Sequence, residues 1–134
     1  MKKIKNFKIK AYSSITGKLI PLVFNKKFPI KAKRIFFVYG KKNKIRGDHA
    51  HKKCSQFFIP IFGKVILVIK TPKMKKKIVL NHLSKIAVLV PPKYWCSIKF
   101  TNKNSILMVI CDKNYDFDDY LESYDDYIKY LRKI

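Results

Sequence analysis

Glycine is scarce in this chain. Four glycines in 134 residues leave no glycine-rich phosphate loop of the usual kinds. Arginine is scarcer still: of 31 basic residues, 28 are Lys and three are Arg. Acids are almost missing from most of the chain, with Asp48 the single one among residues 1–111. The three cysteines (Cys54, Cys96, Cys111) are widely spaced and form no C-x-x-C pair, which fits reduced thiols better than a disulfide framework. No apolar run is long enough to cross a bilayer; the strongest, Phe57 to Ile69, is broken by Pro60 and Lys64 and is too short. Lys2, Lys3 and Lys5 are not followed by an apolar core of signal-peptide length. These absences predict a cytoplasmic protein that does not engage a membrane.

What is present is positive charge, +23 in all, and a basic face attracts phosphates whatever their sequence. Nucleic-acid readers lean on Arg for bidentate contacts, and a Lys excess beside frequent Ile and Asn matches an AT-rich coding bias. The composition therefore points away from nucleic acid as the main partner and toward a smaller anion such as a nucleotide diphosphate.

The pattern up to residue 111 is that of short strands. Phe7 and Ile9 alternate with Lys8 and Lys10, and Lys18 to Phe24 is apolar but holds Pro21, which suggests an edge strand or a bulge. Further strand segments follow at Arg34 to Tyr39, Ile45 to His51, Gln56 to Phe62, Val65 to Ile69, Lys77 to Leu80, Lys85 to Val90, Tyr94 to Phe100 and Ser105 to Cys111. About ten short strands separated by turn residues predict a sandwich or jelly roll. Beyond residue 111 the chain turns acidic, with seven of the eight acids. Leu121, Tyr124, Ile128 and Leu131 recur at helical spacing, so a C-terminal helix over about 117–133 is expected, with its acids in the first turn and Lys129, Arg132 and Lys133 in the last. It is expected to pack as a lid on one all-β domain spanning residues 1–134.

Chemistry concentrates in Arg46-Gly47-Asp48-His49-Ala50-His51-Lys52. On a strand, period 2 places the imidazoles of His49 and His51 on one face and Ala50 on the other. Such a pair suits a metal site or an acid/base pair. The spacing follows the first cupin motif, G-x5-H-x-H-x3,4-E-x6-G, but Gln56 replaces the carboxylate. Cys96 stands where the second motif would put a ligand His. A hard-metal site would keep two of four ligands, although two His, a Gln and a Cys could hold Zn or Cu. For proton transfer, a cationic surround should hold the imidazoles neutral and base-competent. Tyr39 and Arg46 are the nearest groups able to polarise a carbonyl, and Arg46 reaches the His face only through a twist or bulge at Gly47. His82 reads as a surface residue in a polar turn, and Trp95 as core.

Arg34-Ile-Phe-Phe-Val-Tyr39, Arg46-Gly-x-His49-Ala-His51-Lys52, Gln56, Val90-Pro91-Pro92-x-x-Trp95 and Asp119-Tyr120-Leu-Glu-Ser-Tyr124-Asp125-x-Tyr127 together resemble the sugar 3,4-ketoisomerases that act on dTDP-4-keto-6-deoxyhexoses. The resemblance spans nearly the whole chain. It implies a cupin-type jelly roll (double-stranded β-helix), a homodimer with an exchanged N-terminal strand, and no metal or other cofactor. The implied substrate is dTDP-4-keto-6-deoxy-D-glucose, converted through an enediol to a 3-keto sugar that an aminotransferase consumes on the way to surface polysaccharide. His49 and His51 carry the proton transfers in this reading, His51 as the base at C3 and His49 protonating C4. Tyr39, Arg46, Lys52, Gln56 and Trp95 are the implied substrate contacts.

Departures from the family pattern concern the product. Phe37 stands where a Tyr is frequent, and Cys96, Ser97 and Lys99 stand where a His is often found. The 6-deoxy-gluco and 6-deoxy-galacto products both stay open on these residues. Two other readings compete with the ketoisomerase: a non-catalytic cupin that binds a nucleotide sugar, and a metal-dependent cupin enzyme.

Overall fold

A computed structural model describes all 134 residues. The strands are β1 (Lys5–Lys8), β2 (Tyr12–Ser14), β3 (Gly17–Leu19), β4 (Arg34–Gly40), β5 (Ile45–His51), β6 (Gln56–Phe62), β7 (Lys64–Thr71), β8 (Met74–Asn81), β9 (Ile86–Val90), β10 (Trp95–Phe100), β11 (Ser105–Cys111) and β12 (Tyr120–Leu121); a turn of 3-10 helix covers Phe117–Asp119, and α1 covers Tyr124–Lys133. Two five-stranded sheets, in the orders β1-β9-β6-β11-β4 and β12-β5-β10-β7-β8, make the cupin-type jelly roll. Every pairing is antiparallel.

Period-2 alternation sorts the side chains into three apolar layers. Between the sheets lie Phe58, Leu67, Ile69, Val88, Ile98, Phe100, Leu107 and Val109. On the outer face of the first sheet, Phe57, Ile59, Ala87, Met108 and Ile110 are covered by Phe7, Leu22, Phe28 and Ile30. On the outer face of the second, Ala50, Trp95, Leu121 and Tyr127 form the seat of α1. The helix is fixed there by its Ser123 cap on the Asp126 amide and by the Tyr127 hydroxyl donating to the Lys93 carbonyl at 2.8 Å.

Three expectations need correction. The segment from Lys18 to Phe24 is not one strand: β3 stops at Leu19, and residues 20–33 form no strand. Pro21 and Pro29 cannot donate to a ladder, and the stretch serves as an apolar cover. The C-terminal helix starts at Tyr124 rather than near 117. Asp116 caps the 3-10 turn through its carboxylate, and Tyr120-Leu121 then extend to pair with His51 and Ala50 of β5. His82 is also more than a surface residue, because its Nδ1 accepts from the Gly63 amide at 3.0 Å and closes the β6–β7 turn.

Candidate active site

The first determinant of the site is a bulge. In the β5–β10 ladder Cys96 faces His49 and Ile98 faces Arg46, so Gly47 and Asp48 share the single opposite residue Ser97. Gly47 takes φ 64°, a left-handed conformation that favours glycine. The bulge re-aims the strand, as a two-against-one register does. Arg46, Gly47 and His49 all line the cavity between the sheets, while Asp48 turns outward. The twist that Arg46 requires is therefore present at the expected residue.

The cavity has a volume of about 230 Å³. Its walls come from β4 (Phe36, Val38), β5 (Arg46, Gly47, His49), β6 (Gln56, Phe58), β10 (Cys96, Ile98), β11 (Val109) and Tyr120 of β12. His51 stands behind His49, their ring centroids 5.0 Å apart. The Tyr120 ring packs on both, with centroids 4.4 Å from His51 and 5.0 Å from His49.

His51 is held by a residue that strand periodicity could not locate. Its Nδ1 lies 2.8 Å from Asp119 Oδ2, and the other carboxylate oxygen accepts the Lys53 amide at 2.7 Å. Both residues are buried, 4% and 8% exposed, so little water competes with the pair. A carboxylate only accepts, so Nδ1 carries the proton and Nε2 keeps its lone pair. That Nε2 is buried and has no hydrogen-bond partner. Sequence reading placed Asp119 among helix-dipole acids; the available signal was its place beside Tyr120 in the acidic C-terminal motif.

Both imidazoles are held toward the neutral form, as expected, but burial is the main cause rather than surrounding lysine charge. His49 is lowered to about 4, first by desolvation and then by His51, with Asp48 opposing. His51 is also lowered by desolvation, and Asp119 pulls the other way. Cys96 is pushed up to about 12 by burial, so it meets the cavity as a neutral thiol.

The other expected site residues divide by strand face. Gln56 lines the cavity, its Nε2 4.0 Å from Cys111 Sγ. Trp95 pairs with Ala50 and so points out of the sheet, where it donates to Asp48 at 2.8 Å and packs on Tyr124 and Tyr127. Lys52 lies over the Tyr130 ring. Tyr39 alternates to the outer face of β4 and is 71% exposed, beside the exposed Phe37 and Ile35. His49, Arg46 and Gln56 are thus brought together with His51 behind them; Trp95, Lys52 and Tyr39 are not.

Of the cupin metal positions, His51 binds Asp119 through Nδ1 and keeps Nε2 free, and Gln56 turns its amide toward a sulfur. The group whose atoms lie within 4.8 Å of one another is His51, Cys54 and Asp119, without His49.

Residues 2–132 match the family FdtA: WxcM-like, C-terminal. The chain is 30% identical over 119 residues to the TDP-4-oxo-6-deoxy-alpha-D-glucose-3,4-oxoisomerase of Aneurinibacillus thermoaerophilus, covering 88% of this chain and 85% of that one. Among solved structures, the sugar 3,4-ketoisomerase QdtA of Thermoanaerobacterium thermosaccharolyticum in complex with TDP superposes with a TM-score of 0.89 at 29% identity, over 97% of this chain and 95% of that one. A His-to-Asn variant of QdtA in complex with TDP-4-keto-6-deoxyglucose gives 0.89 at 28% identity, over 97% and 94%. With matches of this extent, the chain belongs to the FdtA family of sugar 3,4-ketoisomerases.

Proposed function

We propose that the chain isomerises dTDP-4-keto-6-deoxy-D-glucose to the 3-keto sugar by acid/base proton transfer. The observation that carries this reading is the buried Asp119–His51 pair behind His49 on the wall of the cavity between the sheets. At about 230 Å³ the cavity falls below the roughly 300–1,000 Å³ of sites that enclose a drug-sized ligand. It takes the sugar ring, and the nucleotide lies outside the wall, where exposed Arg46 meets the diphosphate.

His51 removes the C3 proton, which the C4 carbonyl acidifies. Its Nε2 is the free lone pair, and Asp119 stabilises the imidazolium that forms. His49 rests neutral. An anionic substrate opposes the desolvation that depresses it, and the enediolate does so further, so His49 loads a solvent proton and delivers it to C4. Neither step requires a metal.

Association as a homodimer accounts for two exposed features. The β2–β3 hairpin pairs with no other strand, and an isolated hairpin is marginal alone; Ile15 and Leu19 on it are exposed. Ile35, Phe37 and Tyr39 form an open apolar strip on β4. A second copy covers both, which gives Tyr39 a place at the interface. Three free cysteines, all buried, agree with a reducing cytoplasm; no helix is long and apolar enough to cross a membrane.

Incubation with dTDP-4-keto-6-deoxyglucose, followed by NMR with and without an aminotransferase to trap the product, tests the reading. A 3-keto sugar formed at equal rate with and without chelator is expected. If none forms even with the trap, the protein is a binder and the proposal fails.

A further inference from the structure

Residues 1–111 hold a single acid, Asp48, and it stands between the bulge glycine and His49. A bulge leaves a residue unpaired and the ladder locally broken, and this one directly precedes a histidine whose aim matters. Gly47 supplies the left-handed conformation, φ 64°, but has no side chain with which to fix it.

Asp48 supplies the fixing from outside the cavity. Its Oδ1 accepts from two residues of β10, the Trp95 indole N–H at 2.8 Å and the Ser97 hydroxyl at 2.6 Å. Ser97 is the one residue that Gly47 and Asp48 share, and Trp95 and Ser97 flank Cys96, the ladder partner of His49. One oxygen therefore grips β10 on both sides of the residue opposite His49. Hydrogen bonds to a carboxylate are short and about twice as strong as neutral ones, and Trp95 is itself anchored beneath α1. His51 does not depend on this grip. Asp119 holds its Nδ1 at 2.8 Å, and Tyr120 pairs with it in the ladder.

We propose that Asp48 is a positioning residue of the reaction: its carboxylate staples the bulge to β10 and so aims His49 at C4 of the sugar, a role that rests on the ketoisomerase reading. Asp48 touches no reacting atom. Releasing the staple lets the bulge open, and His49, the next residue along the chain, moves out of line with C4. A displacement of about 1 Å costs about 10²-fold in rate. His51 keeps its place on Asp119, so proton delivery to C4 slows and proton removal from C3 does not.

Isotope exchange separates the two effects. In D2O with dTDP-4-keto-6-deoxyglucose, deuterium entering C3 of the substrate reports the His51 step, and 3-keto product reports the whole sequence. Asp48→Ala should form product about 10- to 100-fold more slowly with C3 exchange within a few-fold of wild type, so that the exchange-to-product ratio rises. A merely structural role would lower both rates together through the folded fraction and leave the ratio alone. Asp48→Asn keeps an accepting oxygen and loses only the charge; it should return the ratio close to that of wild type. Ser97→Ala removes one of the two donors and should raise the ratio less than Asp48→Ala does, and it decides the matter if Asp48→Ala does not fold. A ratio unchanged from wild type, or an Asp48→Asn protein as impaired as Asp48→Ala, overturns the staple. Absence of both exchange and product in the wild type overturns the ketoisomerase reading, and the role of Asp48 falls with it.

Discussion

Replacing Asp119 with Asn tests how the site selects its base. The carboxylate serves two donors, His51 Nδ1 at 2.8 Å and the Lys53 amide at 2.7 Å. An amide has one acceptor and one donor end. The Lys53 N–H is a backbone group that can only donate, so the Asn oxygen must face it and the NH2 must face His51. Nδ1 then has to accept, which moves the ring proton to Nε2 and removes the lone pair proposed to abstract the C3 proton. Turning the amide round to restore the tautomer leaves a part-buried N–H unsatisfied, at about 1–3 kcal/mol. That alone is roughly a ten- to hundredfold loss of the active form, at about 1.4 kcal/mol per decade. The carboxylate charge that steadies the imidazolium is lost as well. Turnover should therefore fall about 10²–10⁴-fold, and C3 deuterium exchange should fall with it, because the base step itself is damaged. The assay is NMR of substrate in D2O, with a thermal melt to show that the fold persists. Turnover within threefold of wild type in a folded Asp119→Asn protein would refute the tautomer argument.

His49→Asn and His51→Asn should each lower turnover by about 10²-fold or more with the melt little changed; full activity in either denies that histidine its role. Trp95→Ala should act on stability instead, costing about 3–5 kcal/mol in denaturant unfolding, because Trp95 is 3% exposed beneath α1 rather than in the cavity; a loss of turnover without destabilisation would contradict that placement. Stability should also depend on pH. His49 sits at about 4 in the fold against an ordinary 6.5, so the unfolded chain binds the extra proton, stability is complete above about 6.5 and declines as pH falls toward 4. At about 1.4 kcal/mol per unit the full decline from His49 is at most about 3–4 kcal/mol, with His51 adding in the same direction. Urea midpoints measured from pH 7 to 4 should show this decline, and His49→Asn should flatten it.

The jelly roll was legible because its strands are short, alternate cleanly and are bounded by turn residues. The face shared by His49 and His51 followed from period 2, and the bulge at Gly47 followed from asking how Arg46 could join them. Legibility failed where tertiary pairing overrode local pattern. Leu121 fits a helical stripe and Tyr120 lies inside the expected helix, yet they complete the ladder on β5, and that pairing delivers Asp119 and Tyr120 to the site. No local signal says that a carboxylate 68 residues from His51 will bind its Nδ1. Trp95 and Tyr39 fall outside the cavity for a simpler reason: each has the strand parity that faces away from it.

The central claim, two-histidine proton transfer on a 4-keto sugar, is tested most directly by where the isotope goes. Wild-type protein incubated with dTDP-4-keto-6-deoxyglucose in D2O should give a 3-keto product carrying deuterium at C4, because the proton taken from C3 leaves on His51 and C4 receives a solvent-derived one from His49. A product that retains the original C3 proton at C4, undiluted by deuterium, would show a single base carrying the proton between carbons and would contradict the account.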